Sequence, residues 1–209
     1  MKVEEAPAGG AEHFGNEIWE KLNAFADMLC AEGEKRGLVG PREYEKLWTR
    51  HILNSTAILD FIDEGVRLAD IGSGAGFPGI VVAIARPDLD VTLIDSMDRR
   101  CKWLKDVSAA LELKNVKIRY ARAEDLKGIF QTDVATARAV ASVAKLLPLT
   151  MPIIRGGGTL LALKGERVDE EIDAAIPQLR KYRAQYADVH TVVPFGCDEA
   201  TRVLEIKKK

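Results

Sequence analysis

The sequence reads LADIGSGAGFPG at residues 68–79, where an apolar strand runs directly into a glycine-rich turn and the start of a helix. Such a turn needs glycine because a Cβ atom would hinder positive φ and hold a ligand away from the backbone. In an open α/β sheet the turn lies beyond the carboxyl end of its strand, which is where these sheets bind ligands. The flanking strand and helix make this motif a stronger indication of a cofactor site than the glycines alone.

Short apolar runs near the turn have the length and composition of buried strands, and they alternate with helical stretches. This alternation predicts a doubly wound parallel sheet. The strands are expected at residues 66–71, 91–94, 116–118, 134–136 and 159–163, and the helices at 79–86, 98–111, 142–154 and 168–180. Two last runs, 190–194 and 201–207, have no helix between them and are expected to pair as an antiparallel hairpin at the sheet edge.

The chain is predicted to consist of an N-terminal helical cap, residues 1–65, and a cofactor-binding domain, residues 66–209. One apolar stripe of the cap has helical spacing and consists of Phe14, Ile18, Leu22, Phe25 and Leu29. A second cap helix is expected to begin at Pro41, with an apolar face made of Tyr44, Leu47, Trp48 and Ile52. We interpret Tyr44, Trp48 and Trp103 as core residues, not as platforms for stacked bases.

The composition excludes several classes of protein. The chain has 209 residues, of which 47% are hydrophobic and 30% charged, and its net charge is −2, as is typical of an ordinary globular protein. Its three cysteines form no Cys-x-x-Cys pair, so neither a disulfide framework nor a zinc site is expected. No apolar run approaches the roughly 20 residues of a membrane helix, and the first residues contain no apolar signal core. We therefore expect a cytoplasmic protein with no metal and no membrane partner.

Two cofactors compete for the glycine turn, a nicotinamide dinucleotide and S-adenosylmethionine. The dinucleotide needs a helix N-terminus for its pyrophosphate, whereas the sulfonium cofactor is a cation without phosphate. Asp70, two residues before the first glycine, favours the cation. Asp95 ends the second predicted strand, where a carboxylate accepts hydrogen bonds from ribose in either class. The closing hairpin resembles the class I S-adenosylmethionine-dependent methyltransferase fold, a Rossmann-like seven-stranded sheet.

Two motifs that the sequence lacks narrow the choice of methyl acceptor. Methylation of pyrimidine C5 needs a cysteine nucleophile, commonly in a Pro-Cys pair, and amino methylation of adenine usually shows an Asp/Asn-Pro-Pro-aromatic loop; this sequence has neither. N7 of guanine has an in-plane lone pair and no proton to remove, so it requires no general base. Basic residues near the predicted mouth of the sheet are candidates to hold RNA phosphates, namely Arg50, His51, Arg99, Arg100, Lys164 and Arg167.

Several segments resemble, in order and spacing, the small-subunit ribosomal RNA guanine-N7 methyltransferase family RsmG, also called glucose-inhibited division protein B. They are Arg50-His51-Ile52-Leu53-Asn54-Ser55, residues 70–80, Leu93-Ile94-Asp95-Ser96 with Arg99-Arg100, Ala137-Arg138-Ala139 and Leu163-Lys164-Gly165. The resemblance covers about residues 40 to 207. It implies a bacterial enzyme that methylates one guanine of 16S ribosomal RNA, as naked RNA or in a precursor particle, with no obligate protein partner. Residues 36–43 depart from the family pattern, in which many members carry Trp-Asn and Asn-Leu-Thr ahead of the Arg-His segment.

The expected cofactor contacts come from two sources. The turn itself indicates Asp70, Gly72, Gly74 and Gly76. By resemblance, the contacts also include Phe77 in the turn, Asp95 on the ribose, Ala123 and Glu124 near the adenine, and Arg138 at the mouth. Arg138 and Lys164 are expected to position the acceptor, and no side chain is assigned acid or base chemistry. A small-molecule methyltransferase, a nucleotide-binding regulatory protein without catalysis and a dehydrogenase remain as alternatives.

Overall fold

A computed structural model describes residues 2–138 and 140–209. Met1 and Ala139 lie outside the described residues, and Ala139 is the last residue of the segment Ala137-Arg138-Ala139 that resembles the family. Within the described residues, seven strands form one sheet in the order β3-β2-β1-β4-β5-β7-β6. The strands are β1 (Arg67–Ile71), β2 (Asp90–Asp95), β3 (Val116–Tyr120), β4 (Thr132–Arg138), β5 (Ile154–Lys164), β6 (Ala184–Val192) and β7 (Thr201–Lys208).

The pairing of the strands confirms the predicted architecture. Strands β1 to β5 are parallel, while β7 is antiparallel to both β5 and β6. The order of the strands reverses at β1, which lies between β2 and β4, and this switch point is where doubly wound sheets bind their ligands. The final hairpin therefore inserts β7 between β5 and β6 at one edge.

The described helices are α1 (Gly10–Phe14), α2 (Asn16–Glu32), α3 (Leu53–Ser55), α4 (Gly79–Ala85), α5 (Asp98–Ala110), α6 (Val143–Thr150), α7 (Val168–Ala174) and α8 (Ile176–Lys181). Short 3-10 turns occupy Pro41–Lys46, Thr56–Phe61 and Ala123–Leu126, and a π-helical turn occupies Leu47–Ile52. Pro41 starts its segment, as predicted, but the second cap helix is a succession of tight and wide turns instead of one regular helix.

Two predicted helices are divided in the structure. Gly15 adopts a φ of 86° and ends α1, so Phe14 does not share a helix with the rest of its predicted stripe. The predicted helix at 168–180 breaks at Ala175, because Pro177 has no N–H for the preceding turn and its ring crowds the carbonyl four residues earlier. The sequence periodicity alone did not indicate either interruption.

The cap packs against one face of the sheet and shares its core. Leu22, Phe25 and Leu29 of α2 belong to the same buried cluster as Val81 of α4 and Leu163 of β5. The other face is covered by α6 and α7 in a second cluster. Tyr44, Trp48 and Trp103 are buried, which confirms that they are core residues. Among the described residues, no helix is long and apolar enough to cross a membrane.

Candidate functional site

A cavity of about 650 Å³ opens at the carboxyl ends of the central strands. Its floor is the glycine turn after β1, and its sides come from residues at or just after the carboxyl ends of β2, β3 and β4. The cap closes one wall with Leu38, Val39, Gly40, Glu43 and His51. This volume lies in the usual range for a small-molecule or cofactor site.

The glycine turn is built for close approach to the backbone. Gly72 and Gly74 have φ values of 72° and 58°, a region that side-chain-bearing residues rarely adopt. Two hydrogen bonds hold the turn against β2 and α5. The Gly72 amide donates to the Ile94 carbonyl at 2.9 Å, and the Trp103 indole donates to the Ala75 carbonyl at 2.9 Å. Gly72 and Gly74 line the cavity, and so does Phe77.

Asp95 lies at the end of β2 with its carboxylate against the turn. One oxygen accepts a hydrogen bond from the Gly74 amide at 3.0 Å, and the other accepts from the Met97 amide at 2.9 Å. Arg100 places a guanidinium nitrogen 3.6 Å from the carboxylate. Asp95 lines the cavity although it is 3% exposed, and each of its oxygens can accept one more hydrogen bond.

Asp70 is fully buried and does not line the cavity, which corrects the expectation that its carboxylate faces a cationic cofactor. Its Oδ2 accepts a hydrogen bond from the Gly79 amide at 3.1 Å, at the start of α4. Its Oδ1 has no hydrogen-bond partner among the described residues. Burial raises the pKa of Asp70 to about 7, against the opposing effects of Ser73 and of the Gly79 amide.

Gly76 also differs from its predicted role, since it is buried outside the cavity lining. A Cβ atom at this position would lie 2.8 Å from Ile80 and 3.1 Å from the Phe25 ring. The third glycine of the motif therefore allows α2 and α4 to pack against the turn.

Arg138 ends β4 in a cluster of cap and turn residues. Its guanidinium donates to the Arg50 carbonyl at 2.9 Å and to Nδ1 of His51 at 2.8 Å. It also lies over the Phe77 ring, 4.7 Å from the centroid, in a cation–π contact. Burial lowers the pKa of Arg138 to about 10, so the group is charged at neutral pH.

Lys164 does not line the cavity, so the structure does not support its predicted role in positioning the acceptor. Its side chain is 10% exposed, pairs with Glu171 at 2.6 Å and donates to the Ala141 carbonyl at 2.9 Å. Glu171 in turn accepts from the Val143 amide at 2.9 Å. Lys164 therefore ties the loop after β4 to α7.

The other predicted phosphate-binding residues are divided between the cavity and the outer surface. His51 and Arg100 line the cavity. Arg50, Arg99 and Arg167 are exposed outside its lining. The structure thus brings only part of this predicted basic set to the site.

The segment after β3 reaches the cavity as predicted, with Ala123 and Glu124 in its wall. Sequence reasoning did not assign a site role to Glu43 or to Val140, which also line the cavity. Glu43 lies in residues 36–43, which depart from the family pattern, so the resemblance assigned it no role. The sequence indicated only that Pro41 begins a helical segment that contains Glu43. In the described part of the chain, no group of three His, Cys, Asp or Glu residues is placed to bind a metal ion.

The residues present fit S-adenosylmethionine in charge and shape. Asp95 offers free acceptor capacity for ribose hydroxyls, and the positive-φ turn lets a ligand approach the backbone. Arg138 carries a charge suited to a carboxylate. The arrangement can therefore bind a nucleoside that carries a carboxylate and has no phosphate group.

Comparison with known proteins agrees with this geometry. A family model described as rRNA small subunit methyltransferase G matches residues 18–196. A protein of this name from Leifsonia xyli subsp. xyli is 46% identical over 202 residues, which are 97% of this chain and 96% of that protein. Another from Corynebacterium glutamicum (strain R) is 42% identical over 206 residues, covering 97% and 92% of the two chains.

Solved structures match at lower identity. A SAM-dependent O-methyltransferase from Thermotoga maritima superposes with a TM-score of 0.60 at 14% identity, over 79% of this chain and 69% of that one. The precorrin-6y C5,15-methyltransferase from Geobacter metallireducens GS-15 gives a TM-score of 0.56 at 12% identity, over 74% and 87%. These likenesses confirm the predicted methyltransferase fold. The family model and the sequence relatives are more specific, and they show that the chain belongs to the ribosomal RNA small subunit methyltransferase G family.

Proposed function

We propose that this chain is an S-adenosylmethionine-dependent methyltransferase that transfers a methyl group to N7 of a guanine in 16S ribosomal RNA. One observation carries the proposal. In a chain of this family, the turn after β1, the carboxylate that ends β2 and the guanidinium that ends β4 all border one cavity.

Each part of the cavity suits one part of the methyl donor. Asp95 would hold the ribose, Ala123 and Glu124 would border the adenine, and Gly72 would allow the donor to approach the backbone. Arg138 would pair with the carboxylate of the methionine portion. Asp70 has no direct contact in this proposal, because it is buried beneath the turn.

S-adenosylmethionine, when bound, supplies a methyl group already activated on a sulfonium sulfur. The protein's share of the chemistry is therefore alignment, and positioning can account for about 7 to 11 kcal/mol of a barrier. Guanine N7 presents an unprotonated lone pair, so no side chain has to remove a proton. Among the described residues that line the cavity there is no cysteine, so the covalent route to pyrimidine C5 has no nucleophile here.

The RNA would approach across the outer rim of the cavity. Arg100 and Arg122 line the cavity, and Arg50 and Arg99 are exposed next in sequence to the lining residues His51 and Arg100. Each phosphate that such residues neutralise makes binding more dependent on salt. The substrate is ribosomal RNA or a small-subunit precursor particle, and the enzyme acts in the cytoplasm without an obligate protein partner.

The test uses the purified full chain with S-adenosylmethionine carrying a labelled methyl group. Substrates are protein-free 16S RNA, small ribosomal subunits from cells that lack the enzyme, and a mixture of free metabolites. Mass spectrometry of nuclease fragments should find one 7-methylguanosine in the RNA or in the subunits. Label that enters only the metabolites would refute the RNA assignment, and binding of the donor without any transfer would favour a regulatory protein.

A further inference from the structure

His51 of the cap contacts three groups of the cofactor cavity at once. Its Nε2 lies 2.8 Å from a Glu43 carboxylate oxygen, and its Nδ1 lies 2.8 Å from Nη2 of Arg138. Its ring stacks on Phe77 with centroids 5.3 Å apart and an interplanar angle of 28°. The imidazole is thus held between a carboxylate of the cap and the guanidinium that ends β4.

These contacts fix the tautomer of His51. A guanidinium only donates hydrogen bonds, so Nδ1 must present its lone pair to Arg138. The proton of the neutral ring is then on Nε2, where it is donated to Glu43. Burial lowers the pKa of His51 to about 4, and the nearby charges of Arg138 and Arg50 add to this effect while Glu43 opposes it. The ring is therefore neutral at neutral pH, as the hydrogen bonds require.

Among the described residues, both hydrogen-bond acceptors of the Arg138 guanidinium belong to the cap. One is Nδ1 of His51 and the other is the Arg50 carbonyl, in the same π-helical turn. An arginine side chain is long and loses much rotamer freedom when it is held in one place. Contacts that hold it before the ligand arrives reduce the cost of binding. Phe77 supports the same orientation from the turn side.

We propose that His51, held by Glu43, is a positioning residue that keeps Arg138 oriented for the methyl donor, so that the cap sets the affinity of the cavity for S-adenosylmethionine. This inference rests on the proposed function. It assigns to Glu43 and His51 a role in binding the donor, instead of the contact with RNA phosphate predicted for His51 from the sequence.

The decisive variants separate the two ring nitrogens. In His51→Asn the side-chain oxygen takes the place of Nδ1, so Arg138 keeps its acceptor. In His51→Gln the amide reaches the place of Nε2, so the partner of Glu43 is kept and the acceptor for Arg138 is lost. We expect the dissociation constant of S-adenosylmethionine, measured by calorimetry, to rise about tenfold in His51→Gln and less than about threefold in His51→Asn.

Glu43→Ala provides a second test in case His51→Gln does not fold. Without the carboxylate the ring is free to carry its proton on Nδ1, which cannot accept from Arg138, so donor affinity should fall severalfold. Glu45→Ala is the matched control, because Glu45 is an exposed carboxylate of the same turn outside the cavity lining. Its affinity should equal that of the unmodified chain.

A double-mutant cycle shows whether His51 acts through Arg138. In an Arg138→Ala background, His51→Gln should change the dissociation constant by less than about twofold. An equal loss in both backgrounds, or equal losses for His51→Asn and His51→Gln, would overturn the positioning role. If the unmodified chain itself does not bind S-adenosylmethionine, the proposed function fails. If the chain binds it and all His51 variants bind it equally well, only this inference fails.

Discussion

In the cofactor-free protein, replacing Asp70 by asparagine should raise the free energy of unfolding at alkaline pH. Asp70 is fully buried, and only one of its carboxylate oxygens has a hydrogen-bond partner among the described residues. Burial raises the pKa of Asp70 from the usual 3.8 to about 7. Above that pH the fold holds a charge that it disfavours, and the neutral amide of asparagine removes this charge while it still accepts from the Gly79 amide.

Proton linkage gives the sign and the size of this change in stability. Because the pKa is higher in the folded chain than in the unfolded one, the stability contributed by protonated Asp70 is complete below about pH 4. It is lost as the pH rises, and the loss is complete above about pH 7. At 1.36 kcal/mol for each pKa unit, the total change is about 4 kcal/mol. The advantage of Asp70→Asn should therefore be near zero at pH 4 and about 4 kcal/mol at pH 8.

The assay is urea unfolding followed by tryptophan fluorescence at a series of pH values and constant ionic strength. The difference between the two proteins isolates Asp70, because the other groups titrate in both. Asp133→Asn is a control of opposite sign, since Arg67 and Arg155 hold the pKa of Asp133 well below its usual range. That variant should be less stable than the unmodified chain at pH 8. Parallel stability curves for Asp70→Asn and the unmodified chain would refute the reasoning.

Three further predictions concern other polar contacts. Asp95→Asn should weaken S-adenosylmethionine binding by about 1.5 to 3 kcal/mol in calorimetry, because a charged acceptor for ribose is lost; an unchanged dissociation constant would contradict this role. Lys164→Met should lower the melting temperature by breaking the pair with Glu171 but leave donor affinity within about twofold; lost methylation at unchanged stability would instead restore its predicted role at the acceptor. Glu4→Ala should cost about 1 to 2 kcal/mol of stability in urea unfolding, because the Glu4 carboxylate accepts hydrogen bonds from the Trp48 and Thr49 amides; equal unfolding midpoints would argue against a stabilising role of these hydrogen bonds.

The sequence predicts the sheet well because its signals are local. Each buried strand is a short apolar run, and the closing hairpin lacks an intervening helix, so the strand directions could be inferred without contacts. The helix breaks were less visible. Gly15 interrupts an apolar stripe that continues in register on both sides, and a pattern of spacing does not reveal such a break.

The sequence identified residues of the cavity where a residue's position in the chain fixes the direction of its side chain. Asp95 is the last residue of β2, Glu124 lies in the turn after β3, and both reach the cavity. Asp70 lies within β1, one residue before its end, and its side chain points beneath the turn toward α4. Its charge therefore did not indicate the cofactor class. Lys164 is also at a strand end, but its partner Glu171 lies in the following helix, and the spacing did not reveal that pairing.

The cap is part of the site. Glu43 and His51 come from the first 65 residues, yet both line the cavity; His51 contacts the guanidinium that ends β4, and Glu43 holds His51. Phe25 of α2 packs against Phe77, with ring centroids 5.5 Å apart, so the cap also supports the turn itself. The glycine turn belongs to a fold shared with other methyltransferases, whereas these contacts come from a segment outside the sheet. The segment before β1 therefore both closes one wall of the cavity and supports the glycine turn that forms its floor.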